Sequence, residues 1–183
     1  MGPDEFAHRV STEYIAGNIT VCENLFDLYC ISVTSNARWY NRVLNLLGSS
    51  ECNLTLLWDI YMNAHKFNYK ISKATFNILI NRFSETKSYQ LYNNALSFGY
   101  FEAKYLKQNT YDLHGFSGKT AVMTLKKMND LFCALKYVIL IVGIGNHSNG
   151  VCTLKESVLS YLKESTFRFN IDKHNAGRIH VYI

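Results

Sequence analysis

Apolar residues recur at helical spacing from Val21 to about residue 106, and then the pattern changes. The stretch from Val21 to Val33 places Leu25, Phe26, Leu28, Tyr29 and Ile31 close to a 3.6-residue period, which predicts an amphipathic helix. Trp39, Tyr40, Val43, Leu44 and Leu47 predict a second over 37–47, with Gly48 as its stop. Leu57, Trp58, Ile60, Tyr61 and Ala64 predict a third over 54–67. Ser72 is a candidate N-cap for a fourth, which runs to Phe83 and carries Phe76, Leu79 and Ile80. A fifth spans 88–98 and ends at Gly99.

Beyond Gly99 the elements alternate. Residues 100–108 are expected to be a helical connector. Residues 110–114 alternate at period two and predict a strand, followed by an amphipathic helix over 118–134. The continuous apolar run Tyr137 to Val142 reads as a strand buried on both faces. A glycine-rich polar loop, 143–150, leads into a helix over 153–164. Strands at 167–171 and 178–183 flank a turn at Asn175-Ala176-Gly177. The fold class is therefore α/β: a β-α-β-α-β-β layer over 109–183, preceded by an all-α helical-hairpin region over 21–108. Met1-Gly2-Pro3-Asp4-Glu5-Phe6 looks like a cloning remnant, and residues 1–20 are expected to be a disordered lead.

Composition narrows the class. Of 183 residues, 48% are hydrophobic and 18% charged, so the chain can bury a core. The net charge is +5, and residues 109–183 hold 9 Lys/Arg against 5 Asp/Glu, so the basic excess lies in the C-terminal layer. That favours a polyanionic partner there. Five cysteines, an odd number with no zinc spacing, read as free thiols in a reducing compartment. No apolar run reaches the length of a membrane span, and cytosol and mitochondrion both suit such a chain.

The candidate chemistry sits at two strand exits. Asp112 and His114 share one strand face, where the carboxylate can fix the imidazole tautomer for proton transfer. Such a pair can also merely cap a turn. The second stretch is Gly143-Ile144-Gly145-Asn146-His147-Ser148, whose glycines let the backbone approach a phosphate. Loops at the exits of adjacent parallel strands lie close together. His147 or His114 is then a candidate base. Gly115, Gly143, Gly145, Asn146 and Ser148 are candidate phosphate neighbours. Lys119, Lys126, Lys127, Arg168, Lys173 and Arg178 are candidates for tracking a nucleic-acid backbone. Asp112 stands almost alone among carboxylates, so the sequence indicates no metal ligands and no cofactor, although a divalent metal remains compatible.

These motifs, Tyr111-Asp112-Leu113-His114-Gly115, Gly143-Ile144-Gly145-Asn146-His147-Ser148 and Asn175-Ala176-Gly177, come in the order found in the Smr (small MutS-related) domain, which residues 110–183 resemble. The resemblance implies an endonuclease acting mostly on RNA, single-stranded or structured, with the ribosome as a further partner. One position departs from the family: Ile144 stands where Arg is common, removing a cation from beside the scissile phosphate. The second reading is accordingly a non-catalytic module that binds RNA or a ribosome surface. A weak repeat aligns Trp39-Tyr40-Asn41-Arg42-Val43-Leu44 with Thr75-Phe76-Asn77-Ile78-Leu79-Ile80, and this resembles pentatricopeptide repeats. There, the residues matching Asn41 and Asn77 help read RNA bases. Pentatricopeptide and Smr units are a known combination. A third reading is protein docking through the aromatics Trp39, Trp58, Tyr61 and Tyr92.

Overall fold

Among the described residues up to 97 the chain forms the helices α1 (Pro3–Ile15), α2 (Ile19–Cys30), α3 (Ala37–Gly48), α4 (Leu54–Lys66), α5 (Lys73–Arg82) and α6 (Glu85–Ser97). The structure is a computed structural model, which describes residues 1–30, 36–50, 53–144 and 153–182. It divides into two units, Met1–Leu91 and Tyr92–Ile183.

Within the first unit α1 packs on α2 and α3, and α3 packs on α4 and α5. Side chains of Asn36, Asn53 and Ser72 accept from the backbone N–H groups of Trp39, Thr55 and Thr75, capping α3, α4 and α5. The lead expected over 1–20 is instead part of the core. Phe6, Ala7 and Val10 share one face of α1 and are buried. The Phe6 ring lies 5.1 Å from that of Trp39, and Asp4 is paired with Arg42. Burying one such phenylalanine is worth about 1.5–3 kcal/mol, which orders a terminus that composition alone had set aside. Of the aromatics considered for docking, Tyr61 and Tyr92 are buried and Trp39 and Trp58 are half-buried in ring contacts, which weakens that reading.

Gly48 ends α3 by close approach. A β-carbon there would sit 2.6 Å from Ile78 Cγ2 on α5. Gly48→Ala is therefore expected to lower stability by about 1–3 kcal/mol, read as a shift in the thermal or urea midpoint of the chain.

In the second unit a five-stranded sheet has the order β1-β2-β3-β5-β4, formed by β1 (Lys104–Tyr105), β2 (Thr110–Asp112), β3 (Tyr137–Ile141), β4 (Arg168–Ile171) and β5 (Arg178–Tyr182). β2 and β3 are parallel, and the other pairs are antiparallel. Between β2 and β3 run α7 (Gly118–Lys127) and α8 (Asn129–Leu135), and α9 (Thr153–Glu164) precedes β4. α7 packs on α9, and a capping box in which Ser117 and Thr120 bond reciprocally opens α7.

Three sequence expectations change here. The connector expected to be helical holds β1 instead, because Gln108 and Asn109 take φ of 52° and 55° and turn the chain back in a hairpin. The helix expected over 118–134 breaks at Met128 into α7 and α8, next to Asn129 and Asp130, residues suited to a new helix start. Most usefully, β3 is buried on one face only. Val138 and Leu140 are buried, while Tyr137, Ile139 and Ile141 are half-exposed. The buried face continues through Tyr111, Ile179 and Val181. Across the open face the register sets three rows. Lys104, Asp112, Ile141 and Arg178 form the first, Thr110, Ile139, His180 and Asn170 the second, and Tyr137, Tyr182 and Arg168 the third.

Candidate active site

β2 carries Asp112 to the exit of the sheet, and the chain then turns sharply. Leu113 donates its N–H to Ile141 O at 3.0 Å, extending the β2–β3 pairing by one residue, and its side chain is buried. Gly115, at φ 75°, supplies the left-handed backbone that directs the chain toward α7. Asp112 Oδ1 accepts from the His114 backbone N–H at 2.9 Å and contacts His114 Nδ1 at 2.5 Å. A carboxylate only accepts, so Nδ1 holds the ring proton and Nε2 keeps its lone pair. The Asp112 side chain is 26% exposed and that of His114 is 62% exposed. The ring is thus oriented from below and accessible from outside.

β3 delivers its own exit to the same place. Gly143 has φ 75°, and a β-carbon on it would lie 3.2 Å from His114 Nε2. Only a glycine leaves that space beside the ring open. Gly143 is held from the other side by Gly177. Val142 and Gly143 both donate to Gly177 O, at 2.9 and 3.3 Å, and the Gly177 N–H is bound by Asn175 Oδ1 at 3.0 Å. A β-carbon at Gly177 would meet the Gly143 carbonyl carbon at 2.9 Å. The three motifs Asp112–Gly115, Gly143 and Asn175–Gly177 therefore converge at one end of the sheet. The contact of Gly177 with Gly143 had no signal in spacing alone, because it depends on β5 lying next to β3.

The other candidates divide. Lys119 lies in the first turn of α7, just after Gly115 and Ser117. Lys126 and Lys127 lie in its last turn, about 10 Å further along the axis, and are not gathered at this site. Arg178 shares the Asp112 row, two strands across. Arg168 is at the far end of the open face, and Lys173 is exposed between β4 and β5. Ile144 is 59% exposed. Gly145, Asn146, His147 and Ser148 lie outside the described residues. Among the described residues no three His, Cys, Asp or Glu side chains gather closely enough to hold a metal ion, and no helix is long and apolar enough to cross a membrane. Cys22 is buried, Cys133 is exposed, and both are free thiols.

Asn41 has a different use from the base contact expected of it. Its Oδ1 accepts from Ser72 N–H at 2.7 Å and from Thr75 Oγ1 at 2.8 Å, and its Nδ2 donates to Ala37 O and Lys70 O at 2.7 and 2.9 Å. The amide ties α3 to the start of α5. Asn77 is half-buried on α5.

A second imidazole network escaped the sequence reading. His180 Nε2 lies 3.0 Å from Asp172 Oδ2, and Tyr137 Oη lies 2.6 Å from His180 Nδ1. Asp172 Oδ1 also accepts from the backbone N–H groups of His174 and Asn175 at 2.7 and 3.1 Å. The bond to His180 and then that to His174 pull the Asp172 carboxyl from 3.8 down to about 2. The folded form thus prefers the ionised carboxylate. Its contribution to stability is present above about pH 4 and disappears as pH falls through about 2. Asp172→Asn is expected to flatten the decline in melting temperature over that window, measured by circular dichroism from pH 5 to 2.

In comparisons with known proteins, no family model and no curated protein matches the chain.

Proposed function

We propose that residues 109–183 form a Smr-type domain that cleaves RNA phosphodiester bonds by acid–base catalysis. The observation that supports this reading is the oriented Asp112–His114 pair, whose imidazole is 62% exposed and turns Nε2 toward Gly143. Nε2 removes the proton of a ribose 2′-OH. The 2′-oxygen attacks the adjacent phosphorus, the P–O5′ bond breaks, and the 5′-oxygen leaves as it takes a proton from water, the imidazolium later returning its own proton to solvent. Asp112 balances the charge on the imidazolium as it forms. The products are a 2′,3′-cyclic phosphate and a 5′-OH. The Lys119 ammonium, carried on the first turn of α7, stabilises the extra charge on phosphorus.

The test is cleavage of an end-labelled single-stranded RNA by the whole chain, with and without a chelator. Cleavage that persists in chelator supports the reading, and intact RNA counts against it. One observation favours the second reading, a binding module without chemistry: Ile144 presents an exposed apolar side chain where the resemblance calls for a cation. In that case RNA is bound and left whole. The ribosome and the helical-repeat mode of RNA reading are proposals of the resemblance.

A further inference from the structure

The open face of the sheet carries features that catalysis at its edge does not need. β3 is apolar along its whole length, yet Ile139 and Ile141 are left half-exposed. Below them an aromatic cluster has formed. The ring of Tyr137 lies 5.3 Å from that of Tyr182 and 5.9 Å from that of His180, tilted by 40° and 34°. The bonds from Tyr137 and Asp172 hold the His180 ring at both nitrogens, so two of the three rings are fixed in advance. Tyr182 is 40% exposed and borders a cleft of about 330 Å³ that also contacts Arg168, Phe169 and Asn170. Among the described residues the rows of the face carry Lys104, Arg168 and Arg178, all exposed, and the carboxylates there, Asp112 and Asp172, are each hydrogen-bonded to a histidine.

A flat apolar and aromatic surface with cations at its border has the parts of a single-strand platform. Bases stack on rings without sequence preference, and guanidinium groups hold phosphates. A buried ring cluster serving only the core would not leave Tyr182 and the β3 isoleucines at the surface. The register also fixes a distance. The Asp112 row and the Tyr182 row are four residues apart along the strands, about 13 Å, which a few nucleotides of extended strand span.

We propose that this open face binds single-stranded RNA, with a base stacked on Tyr182 in the Arg168–Asn170 cleft and the strand running from there to the Asp112–His114 edge. The inference takes its ligand from the proposed function and adds where and in what form the RNA is held. Single strands fit because paired bases offer no ring face to Tyr182.

The experiment measures binding of a labelled single-stranded RNA, and of a duplex of equal length, by the full chain carrying Asp112→Asn so that no cleavage intervenes. Tyr182→Ala is expected to weaken single-strand binding by roughly 10-fold, Tyr182→Phe to keep it within about twofold, and duplex binding to be weaker and unchanged by either. Arg168→Ala is expected to reduce the salt dependence of binding by about one phosphate contact. Both tyrosine variants are checked by thermal melting, and Tyr182→Phe keeps the platform if the alanine variant unfolds. Single-strand affinity unchanged in Tyr182→Ala, or equal affinity for duplex, overturns the proposal. The two readings fail separately. Cleavage by the unmodified chain with KM untouched by Tyr182→Ala sinks the platform alone. Tyr182-dependent binding of RNA that is never cut sinks the chemistry alone.

Discussion

His114→Ala is expected to lower RNA cleavage by about a thousand-fold, the scale of a lost general base. The fold should not change, because the ring is 62% exposed and stands at the sheet's edge. Asp112→Asn separates the two uses of the carboxylate. An asparagine Oδ1 can still accept the His114 backbone N–H, now made at 2.9 Å, so the turn survives. Both bonds fall on Oδ1, which an asparagine can keep, but the neutral amide does not balance the imidazolium charge, and its NH2, when turned toward Nδ1, fixes the wrong tautomer. Cleavage should fall by about 10²–10³-fold with an unchanged melting temperature. If Asp112→Asn instead lowers the melting temperature and leaves the cleavage rate alone, the pair is a turn cap and the catalytic assignment is wrong. Single-turnover rates on labelled RNA, paired with thermal melts, decide between these.

Asn41→Ala carries the second large effect, and it is one of stability. Of four hydrogen bonds made by one half-buried amide, three tie α3 to Lys70, Ser72 and Thr75 at the start of α5, and the fourth goes to Ala37 O within α3. At a net worth of about 0.5–1.5 kcal/mol each, reduced because water reaches part of the site, their loss should cost about 2–3 kcal/mol. A urea titration reads this directly. RNA affinity should not change, since an amide whose donors and acceptor are all engaged within the chain offers nothing to a base. A variant that stays stable but binds RNA more weakly would restore Asn41 as a reader.

The sequence and the structure agree where periodicity is strong and local. The spacing of apolar residues locates α3, α4, α5 and α9 to within a residue or so, and Ser72 caps α5 as its side-chain chemistry requires. The pairing of Asp112 with His114 was readable from their i, i+2 spacing, although the strand expected over 110–114 ends at Asp112 and the bond is made in the turn beyond it. What was not readable depends on neighbours distant in sequence. β3 looks fully buried because Tyr137 to Val142 contains no polar break, yet Tyr137, Ile139 and Ile141 stay half-exposed on one face. Nothing in the alternation over 178–183 marks His180. Its partners Tyr137 and Asp172 come from other parts of the sheet, 43 and 8 residues away. Gly48 looked like a helix stop, and the reason for it is Ile78. α1 was hidden by a different cause: a start that reads as foreign drew attention from Phe6 and Val10, which have an ordinary amphipathic spacing.

The account rests on His114 acting as a base toward a ribose 2′-OH, and the ends of the cut RNA report that step most directly. The chain should be incubated with a single-stranded RNA of defined sequence and the fragments identified by mass spectrometry. The expected fragments carry a 2′,3′-cyclic phosphate on one side and a 5′-OH on the other, absent when His114 is replaced by Ala. Fragments with 5′-phosphate, or cutting of a DNA strand of the same sequence at the same rate, would contradict it, because neither arises from attack by a 2′-oxygen.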